Sequence, residues 1–338
     1  KQRAFEVAKQ AMRSGKTQKS RRDAKKIAIS LADGRVSEVV ATLSNRRVGS
    51  LSTAEQSLQY KQGRGSNGLP IGYDITLRKA TLNNNRLPGK AVDEKDISIG
   101  FDWAKTTNQL NARAGMYDNG EDSQLYGSLK YQKQLNARAT AGFEYGFQET
   151  PEENAYLRQF GRRNRFKLDY YNQIGDKQAV QLSAWKQAFD RTDNGQLMAD
   201  GVGARAALVH RENTLNGQWY GGVQGTLQKN TNVADISAED ALPDSLQSAE
   251  LIAGFNHGTP GQGYAGGLQY SGSVAVGKVW PTGETKAHVE AAVSTELFNN
   301  DELSLGVFYD KGSLGEQEDK GLTLKYRKFL DFPVSESK

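Results

Sequence analysis

Hydrophobic and polar residues alternate one by one along most of this chain, from near Ser57 to Leu330. Between Ala137 and Gln148 one face carries Ala137, Ala139, Ala141, Phe143, Tyr145 and Phe147, and the other Arg138, Thr140, Gly142, Glu144, Gly146 and Gln148. A period of two is a β-strand with one apolar and one hydrated side. Strands of soluble sandwiches run about 5 to 6 residues. These run well beyond that, several end in Tyr or Trp, and a tilted bilayer-crossing strand needs about 9 to 11. Length and aromatic ends predict an all-β transmembrane barrel.

The alternation places strands at Ser57–Gly63, Ile71–Leu82, Asp96–Ala104, Leu110–Tyr117, Leu125–Lys133, Ala137–Gln148, Tyr156–Ile174 and Ala179–Asp190. It continues at Val202–His210, Gln218–Gln228, Ala249–Asn256, Tyr264–Trp280, Lys286–Leu297, Leu303–Asp310 and Leu322–Leu330. Single-chain bacterial barrels have even strand numbers. Fifteen segments therefore point to a hidden hairpin or a missed strand near the start, and to about sixteen antiparallel strands, with fourteen and eighteen as the neighbouring choices. Short turns at Thr106–Gln109, Gly175–Lys177 and Asn299–Asp301 are expected on the periplasmic side. The longer acidic connections Glu149–Asn154 and Asn230–Gln247 are expected outside. Asp235, Glu239, Asp240 and Asp244 make the second of these a candidate gating loop, or equally a surface loop.

Residues 1–50 read differently. Phe5, Ala8, Met12, Ala24, Ile27, Ala28 and Leu31 fall at helical spacing, Gly15 and Gly34 sit where helices stop, and Ser37 is placed to cap a segment from Glu38 to Leu43. The expected division is a short helical arm over 1–50 and a barrel over 51–338. Charge supports it: residues 1–50 hold 13 Lys or Arg and 4 Asp or Glu, and subtraction from totals of 44 and 39 leaves 31 against 35 for the remainder. The arm is basic and the body mildly acidic. The lack of an initiator Met and of a charged-then-apolar leader leads us to expect a mature or excised segment of something longer, with its export signal upstream.

Mean hydropathy is −0.68, which a barrel tolerates because every second residue faces water. There is no cysteine, so disulfides, thiol catalysis and thiolate metal sites are excluded. With Ile97, Phe101, Trp103, Trp219, Val223, Leu227, Val289, Val293 and Leu297 outward, the inward register holds Asp102, Arg113, Lys130, Arg138, Glu144, Asp169, Glu250, Glu290 and Glu296. A lumen of mixed charge, amides and hydroxyls suits small polar molecules or a polar polymer. Tyr117, Tyr126, Tyr171, Tyr220 and Phe308 fall on the same register. Their faces suit sugar rings, and packing or belt roles suit them equally.

Catalysis is not expected. His210, His257 and His288 come without HExxH or Gly-x-Ser-x-Gly, so an enzyme would need His257 or His288 beside a Ser and an acid. No cofactor and no metal site is expected. The basic arm lacks an aromatic platform or nucleic-acid module, so no nucleic acid is expected either. A protein translocator plugged by residues 1–50 would need a narrower barrel of about twelve strands.

The stretches Asp23-Ala-Lys-Lys-Ile-Ala-Ile-Ser-Leu-Ala-Asp-Gly34 and Ser52-Thr-Ala-Glu-Gln-Ser-Leu-Gln-Tyr60 look like a last helical repeat running into a first strand. The whole layout resembles the outer-membrane exporters of bacterial exopolysaccharides, in which periplasmic tetratricopeptide (TPR) repeats lead into a C-terminal porin. Among the Pel, poly-N-acetylglucosamine and cellulose branches, it is most similar to the Pel polysaccharide porins. The resemblance implies an outer-membrane location with the arm in the periplasm and a cationic, partly deacetylated polymer as cargo. It also implies a biofilm role, contact with outer-membrane lipid and lipopolysaccharide, and a periplasmic lipoprotein ring of the PelC type as partner. The net-negative body independently favours a neutral or cationic polymer, and the lumenal Arg113, Lys130 and Arg138 work against that. Barrels of this kind generally finish on an aromatic, whereas here Phe329 and Phe332 are followed by Pro333-Val-Ser-Glu-Ser-Lys338, with Phe332 as a near-terminal signal.

Overall fold

The computed structural model describes residues 36–64, 70–85, 91–120, 123–214, 216–233, 241–260, 267–298, 301–312 and 315–330, with scattered positions between 7 and 27. Sixteen strands form one closed barrel in which each pairs antiparallel with its sequence neighbours and the last closes on the first. They are β1 Glu38–Val48, β2 Leu51–Gln62, β3 Ile71–Asn84, β4 Val92–Lys105, β5 Asn108–Asp118, β6 Ser123–Gln134, β7 Ala139–Glu149 and β8 Gly161–Ile174. The second half comprises β9 Gln178–Arg191, β10 Leu197–Thr214, β11 Gly217–Asn232, β12 Ser245–His257, β13 Gln269–Trp280, β14 Thr285–Thr295, β15 Asp301–Gly312 and β16 Gly315–Phe329. A six-residue helix, α1 (Ala155–Phe160), stands between β7 and β8.

The expected strand number is met, and the missing strand lies near the start. Glu38–Leu43, read from the sequence as helical, belongs to β1, so the barrel begins before position 51. β1 escapes alternation because Val40 and Val48 are apolar on its inward side, where both are buried. Its register against β2 and β16 closes the wall, pairing Glu38 with Lys61 and with Phe329. The remainder of the expected arm lies largely outside the described residues. Sixteen strands also depart from the twelve expected of a plugged translocator.

A second correction concerns Tyr156–Phe160, read as strand and found as helix. Asn154 has extended backbone and its side chain accepts from the Leu157 N–H at 2.8 Å, the N-cap arrangement that starts a helix. At the other end Gly161 donates its N–H to the Leu157 carbonyl.

Side chains divide as the alternation predicts. Leu58, Ile75, Ile99, Leu168, Val223, Leu251, Val276 and Leu305 all face outward and stay exposed, an apolar belt that water would disfavour and lipid satisfies. Aromatics cluster along its border nearest the first and last described strand ends. There Trp219, Phe255 and Tyr270 stack in series with centroids 4.6 and 5.6 Å apart, and Tyr131 meets Phe143 at 5.8 Å. Glu38 and Phe329 mark this terminal end of the barrel, and the turns Thr106–Gln109 and Gly175–Lys177 lie there, whereas Asn299 and Asn300 of the third expected turn lie outside the described residues; β7 and β11 end, and β8 and β12 begin, at the opposite, far end. The asymmetry has exceptions. At the far end β1 and β2 are joined by Gly49 and Ser50 alone, which Gly49 permits with φ +54°.

Candidate functional site: the lumen and its inward segment

The β7–β8 connection turns into the barrel and crosses its far end. Ala155 of α1 packs with Leu51, Ala80 and Leu82 from β2 and β3. Leu157, two residues on, packs with Phe189, Met198 and Ala199 from β9 and β10 and with Leu242 of the β11–β12 connection. β3 and β10 are seven strands apart in a ring of sixteen, so α1 lies along a chord of the lumen and joins opposite walls. A helix this short has no independent stability; its docking contacts hold it.

The electrostatic anchor of that docking is Glu94 of β4, 1% exposed. Arg158 of α1 donates to both of its carboxylate oxygens at 2.7 and 2.8 Å, Arg78 to one at 3.2 Å, and the Tyr117 hydroxyl at 2.8 Å. Arg162 stacks over the Tyr117 ring at 3.8 Å. Toward β7, Arg163 bridges Glu149 and Glu153 at 3.2 and 2.6 Å. Glu152 reaches Arg46 of β1 at 3.0 Å, and Arg46 is also held by Asp319 of β16 at 2.6 Å. Finally, Gln159 accepts from Asn84 at 2.9 Å. Removing one member of a buried charge pair strands the other and destabilises by about 3–5 kcal/mol, which makes Glu94–Arg158 the strongest single tie.

Of the residues singled out in the sequence, several converge. Tyr220, Glu250 and Glu290 line a cavity of about 500 Å³ along β9–β15 together with Gln224 and His288. Arg113 and Tyr126 line one of about 450 Å³ along β1–β6 against Arg158. Asp102, Arg113, Lys130 and Glu144 line a third of about 350 Å³. Their charges are paired: Arg113 with Asp74 at 2.7 Å, Asp102 with Arg64 at 3.1 Å, and Glu144 with Arg165 at 2.6 Å and Lys130 at 3.9 Å.

The others lie apart. Tyr117 is 3% exposed beneath Arg162 and acts as a wall support; Glu250, although it borders the first cavity, is likewise buried, with Lys286 at 3.0 Å. Asp169 accepts from Ser183 at 2.7 Å, and Tyr171 accepts from Arg211 at 3.3 Å. Arg138 sits in the exposed β6–β7 turn facing Asp176 at 3.4 Å, and Glu296 just beyond the end of β14. Asp235, Glu239 and Asp240 lie outside the described residues. Asp244 is held at the base of its loop, its carbonyl accepting from Asn230 at 2.9 Å, and the same loop reaches α1 through Leu242.

Four lumenal aromatics share one arrangement. Tyr126, Trp185, Tyr220 and Phe308 each stand opposite a glycine on the neighbouring strand: Gly115, Gly203, Gly254 and Gly321. A Cβ at any of these glycines would fall among the ring atoms. The rings therefore lie against bare backbone and leave the lumen clear, with a face available for stacking. Trp185 was not singled out from the sequence, although its glycine partner and inward register were legible once the pairing was known.

Among the described residues, neither His257 nor His288 is hydrogen-bonded to a serine. His288 Nδ1 faces Asp310 at 3.1 Å, and the Ser273 hydroxyl donates to Glu290 at 2.9 Å rather than to the ring. His257 donates from Nδ1 to the Asn216 carbonyl at 2.5 Å and stacks on Tyr270.

A closed antiparallel barrel with an apolar belt outside and paired charges, amides and aromatic faces inside is an outer-membrane transport barrel in fold and construction. Its family follows from the sequence match: the chain belongs to the family described as PelB, C-terminal beta barrel domain, over residues 33–329. Among solved structures it is similar to a bacterial polysaccharide outer membrane secretin, with 9% identity, 88% of this chain and 99% of that chain covered, and a TM-score of 0.67. It is also similar to Pseudomonas aeruginosa OccK11 (OpdR), at 12% identity, 89% and 99% coverage and a TM-score of 0.43. No curated protein matches the chain.

Proposed function

We propose that this barrel is the outer-membrane conduit through which a secreted polysaccharide, the cationic and partly deacetylated Pel polymer, leaves the periplasm for the biofilm matrix at the cell surface. In this reading residues 1–34 belong to the end of a periplasmic TPR-like scaffold and a PelC-like lipoprotein ring sits beneath the pore. The observation that carries the reading is the set of aromatic rings seated flat on cross-strand glycines within a hydrated, amide-rich and charge-paired wall. Such a wall offers stacking faces and exchangeable hydrogen bonds to a sugar chain at many positions and a deep trap at none, which passage requires. The segment from Glu149 to Phe160 acts as the gate: it closes the far end at rest and swings out when chain arrives. Family membership and the fold of the polysaccharide secretin support the cargo class.

The test is single-channel conductance of the purified chain in a planar bilayer with and without a deacetylated amino-sugar oligomer, its fully acetylated counterpart and an anionic uronate oligomer. Block by the deacetylated oligomer at the lowest concentration is expected. Equal block by all three, or preferential block by the uronate, would overturn the cargo assignment.

A further inference from the structure

The outer wall carries cations in a pattern that strand pairing alone disfavours. On the outward register near the far end, Arg47 of β1 stands directly opposite Lys320 of β16, and Lys79 of β3 directly opposite Lys95 of β4. All four side chains are exposed. Like charges directly opposed across a sheet destabilise it, and these two pairs lie within five neighbouring strands, β16 to β4. Their height is set by the belt. Lys79 follows Leu77 by one outward step, Lys95 precedes Ile97 by one, and Lys320 precedes Leu322 by one, each of those neighbours being an exposed apolar belt residue. Between them β2 presents the neutral Ser52 and Gln56, paired with Arg47 and Lys79 respectively.

Carboxylates nearby compensate only in part. Asp93 lies 3.8 Å from Lys79 and Glu318 3.7 Å from Lys320, both exposed pairs of the kind worth little, and Glu318 also accepts from the Tyr309 hydroxyl at 3.0 Å. Asp118 stands opposite Lys95 in the ladder and accepts from the Gly120 N–H. Arg47 donates to the Gly49 carbonyl at 3.1 Å, which leaves guanidinium N–H groups to spare.

We infer that this patch is a binding site for the phosphorylated headgroup of an anionic glycolipid in the outer leaflet. The chemistry matches on three counts. Four cations at the edge of an acyl-contacting belt are where lipid phosphates lie. Arg and Lys are the side chains that bind phosphate through charge-assisted hydrogen bonds. An anion placed between the opposed cations turns the repulsion of each pair into attraction. The terminal end contrasts: its border is aromatic, with Tyr60, Tyr73 and Phe101 on the same strands, suiting zwitterionic headgroups.

The experiment is native mass spectrometry of the full chain folded in detergent micelles and titrated with lipid A, with dephosphorylated lipid A and with phosphatidylethanolamine. Wild type is compared with the quadruple variant R47Q/K79Q/K95Q/K320Q and with K105Q/K133Q, which removes outward lysines at the terminal end. Heat-modifiable mobility on gels confirms that each variant is folded. Expected is at least a tenfold loss of lipid A affinity in the quadruple variant alone, with the dephosphorylated lipid binding wild type as weakly as lipid A binds that variant. Equal lipid A binding by the folded quadruple variant and wild type, or equal binding of lipid A and its dephosphorylated form to wild type, would overturn the site. If the quadruple variant does not fold, the two halves R47Q/K320Q and K79Q/K95Q are read separately, each expected to lose at least threefold.

Discussion

The wall beneath α1 and the wall running from β11 to β15 use the same residue types to opposite ends. Under α1 the charges are multiply tied and out of water: Glu94 holds two arginines and a tyrosine, and Leu157 and Ala155 seal the contact on opposite strands. Along β11–β15 polar groups are paired yet keep an open side, as Glu290 does between Ser273 at 2.9 Å and His288 at 3.8 Å, its side chain still 57% exposed. The first region builds a single closed arrangement; the second leaves polar side chains open to the lumen. A segment held by few, individually strong contacts opens as a unit when one is lost, whereas an open polar wall changes by small increments.

Substitutions can break that contrast in graded fashion. The largest effect is expected from Glu94→Ala, which strands Arg158 in a closed site, Arg78 keeping its pair with Glu55 at 2.7 Å, and removes about 3–5 kcal/mol from the docked state; conductance should rise severalfold while the barrel still migrates as folded. Leu157→Ala should act in the same direction through a lost apolar contact, by about 2–3 kcal/mol, with more frequent brief openings in single-channel records. On the open wall, Tyr220→Ala should leave conductance near wild type and weaken block by an amino-sugar oligomer a fewfold, the scale of one aromatic contact of about 0.5–1.5 kcal/mol. Gly254→Val should drive the Tyr220 ring off the wall and lower conductance modestly. Arg138→Ala should do least: its exposed pair with Asp176 is worth under about 1 kcal/mol, and thermal unfolding should not shift measurably.

The sequence exposes these two regions unequally. Alternation locates fifteen of the sixteen strands, with ends displaced by up to seven residues as at β16, because a barrel wall obliges each spanning strand to show one face to lipid and one to water. It fails at β1, where Val40 and Val48 are apolar on the inward side, and at α1, where Tyr156 and Leu157 read as the start of an unusually long strand. Asn154, three residues before its partner Leu157, is the local signal of a helix start there. The lumenal lining is legible as a register but not as a set of partners: that Glu94 meets Arg158, 64 positions away, follows only from the inward turn of the β7–β8 connection. The aromatic–glycine pairs likewise depend on strand register, which alternation does not fix across neighbours.

The account rests on the Glu149–Phe160 segment closing the far end of the lumen. The most direct test is the single-channel conductance of a variant in which residues 150–160 are replaced by a short Gly-Ser turn, recorded beside wild type in the same bilayer. A severalfold larger and steadily open conductance is the predicted result. A conductance equal to wild type would contradict the account and move the constriction elsewhere in the barrel.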